Sequence, residues 1–284
     1  MSAPAPNGQK IRLAHSPDSD DAFMFYALAR GKVGTEGLEF VHELHDIETL
    51  NRRAFKGIYE VTALSFHAYA FLADSYRLLP HGGSVGDGYG PILVAKQALS
   101  PQELRAGVTA IPGELTTAAL ALRLCVGAVP VAVVPFDQIL DGVRAGTYAA
   151  GLLIHEGQLT YGDLGLKKVV DLGQWWREET GLPLPLGSNA VRRDLDAELA
   201  QKISRVLRAS IDYGLAHRDE TLGYAQKFGR GLGRRRADLF IQMYVNHFTC
   251  DYGERGRQAI QLLLDRAHQA GAIPNRVVAE FVPG

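Results

Sequence analysis

The sequence predicts an α/β protein whose two lobes close on each other like a clamshell, with a helical C-terminal segment that packs on lobe one. Three observations predict this fold class. Short apolar strands alternate with helices up to residue 79, and a glycine-rich link follows. A second alternating unit then runs to about residue 192, and residues 193–284 predict helices only. We therefore expect lobe one over 11–94 plus 193–284, and lobe two over 95–192.

Lobe one is expected to follow a disordered tail over residues 1–10 that contains Pro4, Pro6 and Gly8. Its order is βαβαβαβ, which is typical of a mainly parallel sheet. The predicted strands cover 11–14, 38–44, 61–64 and 76–79. The predicted helices cover 22–30, 46–55 and 65–73. Ser19 or Asp20 is expected to cap the first helix, and Asp46 the second.

Lobe two follows a link that holds five glycines in the nine residues from Gly82 to Gly90. Strands are predicted over 91–95, 108–111, 131–134, 149–154 and 169–171. Helices are predicted over 116–125, 136–144 and around Trp175 and Trp176, whose rings we expect to pack in the core or between the lobes. A last strand, 189–192, leads into the helical segment.

Composition excludes several classes of protein. Among 284 residues, 46% are hydrophobic and 21% are charged, and the formal net charge of −1 provides no field that would attract nucleic acid or an anionic membrane. The most apolar region, 115–136, is interrupted by Arg123 and Pro130, so no membrane span is expected. Cys125 and Cys250 suggest no disulfide framework, which fits the cytoplasm. The arginines at 230, 234, 235 and 236 are interpreted as a solvated helix start.

His155 is the first candidate for chemistry. The run from Ala150 to Ile154 has the small and branched apolar residues of a buried strand, and His155 follows at its carboxyl end. Ligands of α/β sheets bind beside such strand ends, and histidine is the commonest general base. A packed structural histidine is the alternative at this stage.

Two helix starts are candidates for ligand binding. Ser65 begins a helix directly after a strand of lobe one, and Thr116 and Thr117 begin a helix of lobe two. Their hydroxyls and the free amide hydrogens of a first helical turn suit a carboxylate or phosphate. Simple helix caps are the alternative at both places. Because the two starts belong to different lobes, a shared ligand is favoured.

No metal and no cofactor is expected. Asp18, Asp20 and Asp21 could bind a divalent cation, but an acidic helix start explains them equally well. His42 and His45 lack a third ligand at a plausible spacing. The glycine run matches neither a Walker loop nor a dinucleotide-binding motif.

Several motifs resemble the 1,4-dihydroxy-6-naphthoate synthase family of the futalosine route to menaquinone, and together they cover nearly the whole chain after residue 10. They are Gly151-Leu152-Leu153-Ile154-His155-Glu156 with Tyr161, 170–176, 180–187, 46–51, Leu64-Ser65, Gly82-Gly83, Thr116-Thr117, 192–194 and 244–246. The resemblance implies a cytoplasmic lyase with a periplasmic-binding-protein-like (type II) fold and a small-molecule substrate. It implies that cyclic dehypoxanthine futalosine is converted to 1,4-dihydroxy-6-naphthoate.

The same resemblance implies roles for particular residues. His155 would be the general base, with Glu156 a weak candidate to orient it because neighbours on a strand point to opposite faces. Substrate contacts are expected from the two candidate helix starts, the residues before Ser65, and the N-terminal loop. These residues are Ala63, Leu64, Ser65, Thr116, Thr117, Ser16, Asp18 and Asp20.

The chain departs from the family at this cavity. Its N-terminal loop reads Ser-Pro-Asp-Ser-Asp-Asp-Ala, where the family usually reads Ser-Pro-Cys-Pro-Asn-Asp-Thr. Ala63 replaces a lysine, and Asn189 stands where an apolar residue is common. So acidic a loop is expected to tolerate a substrate carboxylate poorly unless it faces ribose hydroxyls. A chorismate dehydratase-like enzyme and a non-catalytic solute-binding protein remain alternatives, and the oligomeric state stays open.

Overall fold

A computed structural model describes residues 8–283 of the chain. Most of the predicted N-terminal tail, residues 1–7, lies outside this range. The first strand begins at Gln9, two residues before the expected start of lobe one. Within the described range, no helix combines the length and the apolar character needed to cross a bilayer.

The sheet of lobe one has six strands, and it is mixed rather than mainly parallel. Its strands are β1 (Gln9–His15), β2 (Leu38–Leu44), β3 (Val61–Ser65), β4 (Tyr76–Leu78), β5 (Ser84–Gly86) and β11 (Leu184–Arg192). The order is β2-β1-β3-β11-β4, with β5 also paired to β11. β1 runs parallel to β2 and β3. β11 is antiparallel to β3, β4 and β5, because it brings the chain back from lobe two.

The sheet of lobe two has five strands in the order β10-β6-β9-β7-β8. They are β6 (Ile92–Ala95), β7 (Thr109–Ile111), β8 (Val131–Val133), β9 (Ala150–Leu153) and β10 (Lys167–Asp171). β7 is parallel to β8 and β9, whereas β6 is antiparallel to β9 and β10. The chain therefore crosses between the lobes at 87–91 and 181–183. Compared with the expected boundaries, β6 lies in lobe two and β11 in lobe one.

Helices cover both sheets and form the C-terminal segment. Those within the lobes are α1 (Ser19–Ala29), α2 (Ile47–Ala54), α3 (Phe66–Leu72), α4 (Pro101–Ala106), α5 (Thr117–Val126), α6 (Ile139–Ala145) and α7 (Leu172–Thr180). The C-terminal helices are α8 (Ala197–Ala216), α9 (Arg218–Ala225), α10 (Arg234–Tyr244), α11 (His247–Cys250) and α12 (Gly253–Gln269). Asp46 caps α2 as expected, since its side chain accepts a hydrogen bond from the Thr49 amide. Asp18 stands at the cap position of α1, and its side chain makes no capping bond.

The C-terminal helices pack on lobe one, as expected. α8, α9 and α10 lie against α1, and α12 lies against β11 and α3. One apolar core joins these helices to the lobe-one sheet, and a larger one continues from lobe one into lobe two. Trp176 is fully buried in the larger core, where its indole N–H donates to the Pro183 carbonyl at 3.1 Å. Core packing between the lobes is thus the role of this ring.

The first crossing depends on a close backbone approach at Gly173, near the start of α7. A Cβ placed on Gly173 would lie 1.9 Å from the Tyr89 carbonyl oxygen. No L side chain fits at Gly173 unless α7 or the connecting segment that contains Tyr89 moves.

We therefore expect Gly173→Ala to lower the free energy of unfolding by about 1–3 kcal/mol, the usual cost of overpacking. Gly223→Ala is the matched control, since nothing lies within 4 Å of a Cβ at that position in α9. That variant should be neutral or gain up to about 1 kcal/mol of helix propensity. Urea unfolding of both variants checks the expectation, and equal stabilities would contradict it.

Candidate active site

A cavity between the lobes is lined by all nine residues that the sequence placed at the site. Its empty space is about 730 Å³, including the part that opens to solvent. The nine residues are Ser16, Asp18, Asp20, Ala63, Leu64, Ser65, Thr116, Thr117 and His155. They come from the ends of β1 and β3, the start of α5 and the end of β9. Four distant parts of the chain thus meet around one space, as expected for a shared ligand.

His155 follows β9 and pairs with a carboxylate of the other lobe. Its Nδ1 lies 3.2 Å from Oδ2 of Asp18, which stands in the loop between β1 and α1. The Phe136 ring packs edge-on at 4.2 Å between ring centroids. The other ring nitrogen, Nε2, is buried and has no hydrogen-bond partner within the described chain. Nε2 is therefore the nitrogen that is free to take a proton.

Asp18 is held as a carboxylate, although it is only 3% exposed. Its Oδ2 also accepts a 2.7 Å hydrogen bond from the Ser16 hydroxyl, and its Oδ1 contacts the Arg230 guanidinium. Burial alone would raise the pKa of Asp18, but His155 and Arg230 together bring it below its usual range. An ionised Asp18 can only accept, so a hydrogen bond across this 3.2 Å contact would be donated by Nδ1 and would leave the lone pair on Nε2.

Glu156 does not orient His155. Its Oε2 accepts from Nη1 of Arg230 at 2.8 Å, and its Oε1 accepts weakly from the Ser19 hydroxyl at 3.4 Å. The orienting carboxylate therefore comes from lobe one and not from the sequence neighbour.

Arg230 is a site residue that the sequence interpretation missed. We expected a solvated helix start, but the side chain reaches into the site and is 31% exposed. Its guanidinium also lies over the Phe136 ring at 4.4 Å. One local signal was available: Arg230 stands between two glycines, and its φ of 46° is in the region that other residues avoid. Arg236, from the same predicted cluster, does lie at the surface, paired with Asp163.

Asp18, His155 and Glu156 converge closely enough to hold a metal ion, with one potential ligand atom from each within 4.8 Å of the others. The Arg230 guanidinium, however, contacts both carboxylates. A metal ion would have to displace this cation, so the donor set as arranged serves the arginine.

On the opposite wall, Ser65 is fixed by a buried amide. Asn51 Oδ1 accepts from the Ser65 backbone N–H at 2.9 Å, and Asn51 Nδ2 donates to the Ser65 hydroxyl at 3.0 Å. The His67 N–H donates to the Thr117 hydroxyl of the other lobe. Two of the expected open amides at this helix start, those of Ser65 and His67, are therefore already engaged. What Ser65 offers a ligand is its hydroxyl hydrogen.

Thr116 and Thr117 differ in what they can offer. The Thr116 hydroxyl donates to the Gly113 carbonyl at 2.8 Å and accepts from the Ala119 amide, so this residue is a helix cap. The Thr117 hydroxyl only accepts, from His67, and keeps its own hydrogen for a ligand.

Asn189 on β11 is a further polar group of the cavity. Its Nδ2 donates to the Gly82 carbonyl at 3.1 Å. Its Oδ1 is buried without a partner among the described residues. Because a buried amide oxygen without a donor is costly, this atom is suited to accept a hydrogen bond from a ligand hydroxyl.

The acidic loop carries less negative charge than its three aspartates suggest. Burial raises the pKa of Asp21 to about 7, against a 2.7 Å hydrogen bond from the Ser16 amide. Burial also raises the pKa of Asp20 well above its usual range, and the neighbouring Asp21 and Asp18 add to that rise. Since Asp18 is balanced by Arg230, this loop is far less hostile to an anionic ligand than we expected.

Comparison with known proteins identifies the family. A profile of the family described as menaquinone biosynthesis matches residues 11–269. The chain belongs to the menaquinone-biosynthesis family. A relative from Thermus thermophilus, named 1,4-dihydroxy-6-naphthoate synthase, is 43% identical over 265 residues, which cover 93% of this chain and 96% of the relative. The resemblance noted in the sequence is thereby confirmed.

Solved structures show the same fold. A crystal structure of a protein from Archaeoglobus fulgidus is 51% identical, with a TM-score of 0.88 over 93% of this chain and 98% of that one. A Candida albicans protein with the generic periplasmic-binding-protein fold has a TM-score of 0.65 at 12% identity, over 97% of this chain and 98% of that one. The latter likeness concerns the fold alone, and it confirms the periplasmic-binding-protein-like architecture expected of this family member.

Behind the acidic loop, His15 should make stability depend on pH. Its Nε2 lies 3.0 Å from Nδ1 of His42, and burial followed by the His42 charge lowers its pKa to about 3. The folded state thus disfavours protonated His15, and this contribution is lost as pH falls from 6.5 towards 3. In His15→Gln, urea unfolding should show a shallower loss of stability across that window. His268→Gln, at an exposed position, should keep the wild-type slope; equal slopes in all three proteins would contradict this expectation.

Asn51→Ala should remove both bonds that fix Ser65. The buried Ser65 N–H then lacks a partner, which costs about 1–3 kcal/mol of unfolding free energy. Gln174→Ala removes an amide whose bond to Glu178 is exposed, so it should change stability little. Thermal and urea unfolding check this pair, and similar losses in both variants would show that Asn51 holds nothing in place.

Proposed function

We propose that this chain is a lyase that converts cyclic dehypoxanthine futalosine to 1,4-dihydroxy-6-naphthoate, with His155 as the general base. The observation that carries the proposal is the His155–Asp18 pair in the inter-lobe cavity, which leaves Nε2 as an unpartnered base. The name of the Thermus thermophilus relative and the family match support the product, and the substrate is the one that the sequence resemblance implies.

The proposed first step is removal of a proton from a substrate carbon by Nε2. The electrons of that C–H bond form a new double bond as a neighbouring bond to carbon or oxygen breaks. The departing atom keeps the electron pair of the broken bond and takes up a proton, so the step needs no oxidant. Asp18 stabilises the resulting imidazolium through Nδ1, and a positioned base of this kind contributes about 10²–10⁴-fold to the rate. Closure of the lobes keeps water away from the reacting centre.

Substrate positioning falls to the opposite wall. The hydroxyl hydrogens of Ser65 and Thr117 point to a substrate carboxylate there, beside the start of α5. Asn189 and the acidic loop are suited to substrate hydroxyls. We place this small-molecule enzyme in the cytoplasm, where the free thiols of Cys125 and Cys250 would stay reduced.

The decisive experiment is incubation of the purified protein with cyclic dehypoxanthine futalosine, followed by chromatographic detection of the naphthoate. His155→Ala should lower kcat by at least about 10²-fold with KM nearly unchanged, because the base acts on the transition state more than on binding. Asp18→Asn should also lower kcat, since an amide can donate to Nδ1 and favour the wrong tautomer.

The control is Asp212→Asn, which removes a carboxylate that pairs with Arg208 at the surface and should leave turnover unchanged. Wild-type turnover in His155→Ala would overturn the assignment of the base. Product from chorismate, or tight binding with no product from either compound, would overturn the proposed reaction.

A further inference from the structure

Arg230 joins the two lobes at the reacting end of the cavity. It stands in the loop before α10, on the lobe-one side, and its Nη2 contacts Asp18 of the same lobe. Its Nη1 lies 2.8 Å from Glu156 of lobe two, and its guanidinium covers Phe136, whose ring packs against His155. One side chain thus contacts both Asp18 and Phe136, the carboxylate and the ring that lie against the imidazole.

The two carboxylates that Arg230 contacts are nearly inaccessible, with side chains 5% and 7% exposed. Two buried negative charges this close repel each other strongly unless a cation lies between them. A guanidinium can bridge both carboxylates at once because its N–H groups form a planar fork, which an ammonium group lacks. Without it, the two carboxylates would repel each other, and Asp18 would no longer be held against Nδ1.

The unusual backbone conformation of Arg230 indicates that the position of its side chain matters. A φ of 46° costs free energy in a residue other than glycine, and such conformations persist where the surrounding contacts demand them. Here the residue with this conformation is the one whose guanidinium reaches two buried carboxylates.

We infer that Arg230 is a positioning residue for the proposed reaction, which holds Asp18 against Nδ1 of His155 only when the lobes are closed. This inference rests on the proposed function. The base and its carboxylate belong to different lobes, and Arg230 binds an acid of each, so closure and assembly of the base become one event. Arg230 touches no reacting atom in this arrangement, and its effect passes through Asp18.

The charged and titratable groups around His155 are Asp18 and Asp20 of the acidic loop, Glu156 from its own loop, Asp137 beside Phe136, and Arg230. Removing the only cation of this set leaves the imidazole beside uncompensated negative charges, so the ring holds its proton more tightly. The acidic limb of the kcat/KM profile should then move to higher pH. A residue that merely tied the lobes together would not move that limb.

Arg236 provides the matched control. It also joins the lobes, through Asp163, but both side chains are about half exposed, at 47% and 55%. Exposed pairs of this kind contribute little. Arg236→Gln should therefore keep kcat, KM and the pH profile of the wild type, although it removes an inter-lobe ion pair of the same type.

Arg230→Gln should lower kcat by up to about 10²-fold, the cost of a small misplacement of a reacting group. Its KM should change less than its kcat, and its acidic limb should move to higher pH. Arg230→Lys keeps the positive charge but lacks the planar N–H groups of the guanidinium. The acidic limb of its kcat/KM profile should therefore return to the wild-type position, whereas its kcat should recover only in part.

Nitrogen-15 spectra of the histidine rings give a readout that does not depend on turnover. The His155 signal is assigned as the one that disappears in His155→Ala. In the wild type and in Arg236→Gln, this signal should be that of the Nδ1–H tautomer. Arg230→Gln should show a mixture of tautomers or a protonated ring. An unchanged His155 signal and pH profile in Arg230→Gln would overturn the inference even if the protein is active. If the wild type forms no naphthoate, the proposed reaction fails, and the spectra still decide whether Arg230 positions the pair.

Discussion

The contact between an imidazole of lobe two and a carboxylate of lobe one is the interaction on which the site depends. Both side chains are largely buried, so water would not replace either partner if it were absent. His155 would lack an orienting acceptor, and Asp18 would be a buried charge without its partner. Because the two lobes supply one member each, the pair exists only when the lobes meet. In the proposed reaction, the two-lobed architecture is therefore needed to assemble the base as well as to enclose the substrate.

Much of this arrangement could be predicted because it follows from local sequence patterns. The apolar run that became β9 indicated His155, and the helix starts indicated Ser65 and Thr117. The alternation of strands and helices predicted two lobes. Arg230 could not be found in this way. It lies 212 residues from Asp18 and 74 from Glu156, and contacts at such separations leave no periodic trace in the sequence. Only its position between two glycines suggested an unusual backbone.

The lobe boundaries were displaced for a similar reason. Pro183, Pro185 and Gly187 are typical of a connection, yet Leu184–Arg192 is one continuous strand. Its first residues, Leu184 and Pro185, pair with the short β5, and a register shift between Pro185 and Gly187 accommodates the irregularity. Proline is tolerated at such edges and bulges because no ladder hydrogen bond from its nitrogen is needed. Which strand accepts it depends on tertiary pairing and not on composition.

The charge of the acidic loop is the third property that could not be predicted correctly from the sequence. The actual charge distribution is compatible with the proposed base and an anionic substrate in one cavity. Counting aspartates gave a strongly negative loop, but burial keeps Asp20 and Asp21 in their protonated range over more of the pH scale, and Arg230 balances Asp18. The remaining negative charge is confined to the wall that holds the imidazole.

The wall of Ser65 and Thr117 carries hydrogen-bond donors, and the Thr117 hydroxyl accepts a hydrogen bond from His67 of the other lobe. In the proposed reaction, an anionic group would therefore be drawn to the donor wall and repelled from the acidic one, so the electrostatics would orient the substrate before the base acts. Proton removal and substrate recognition would then occur at different walls of one closed cavity.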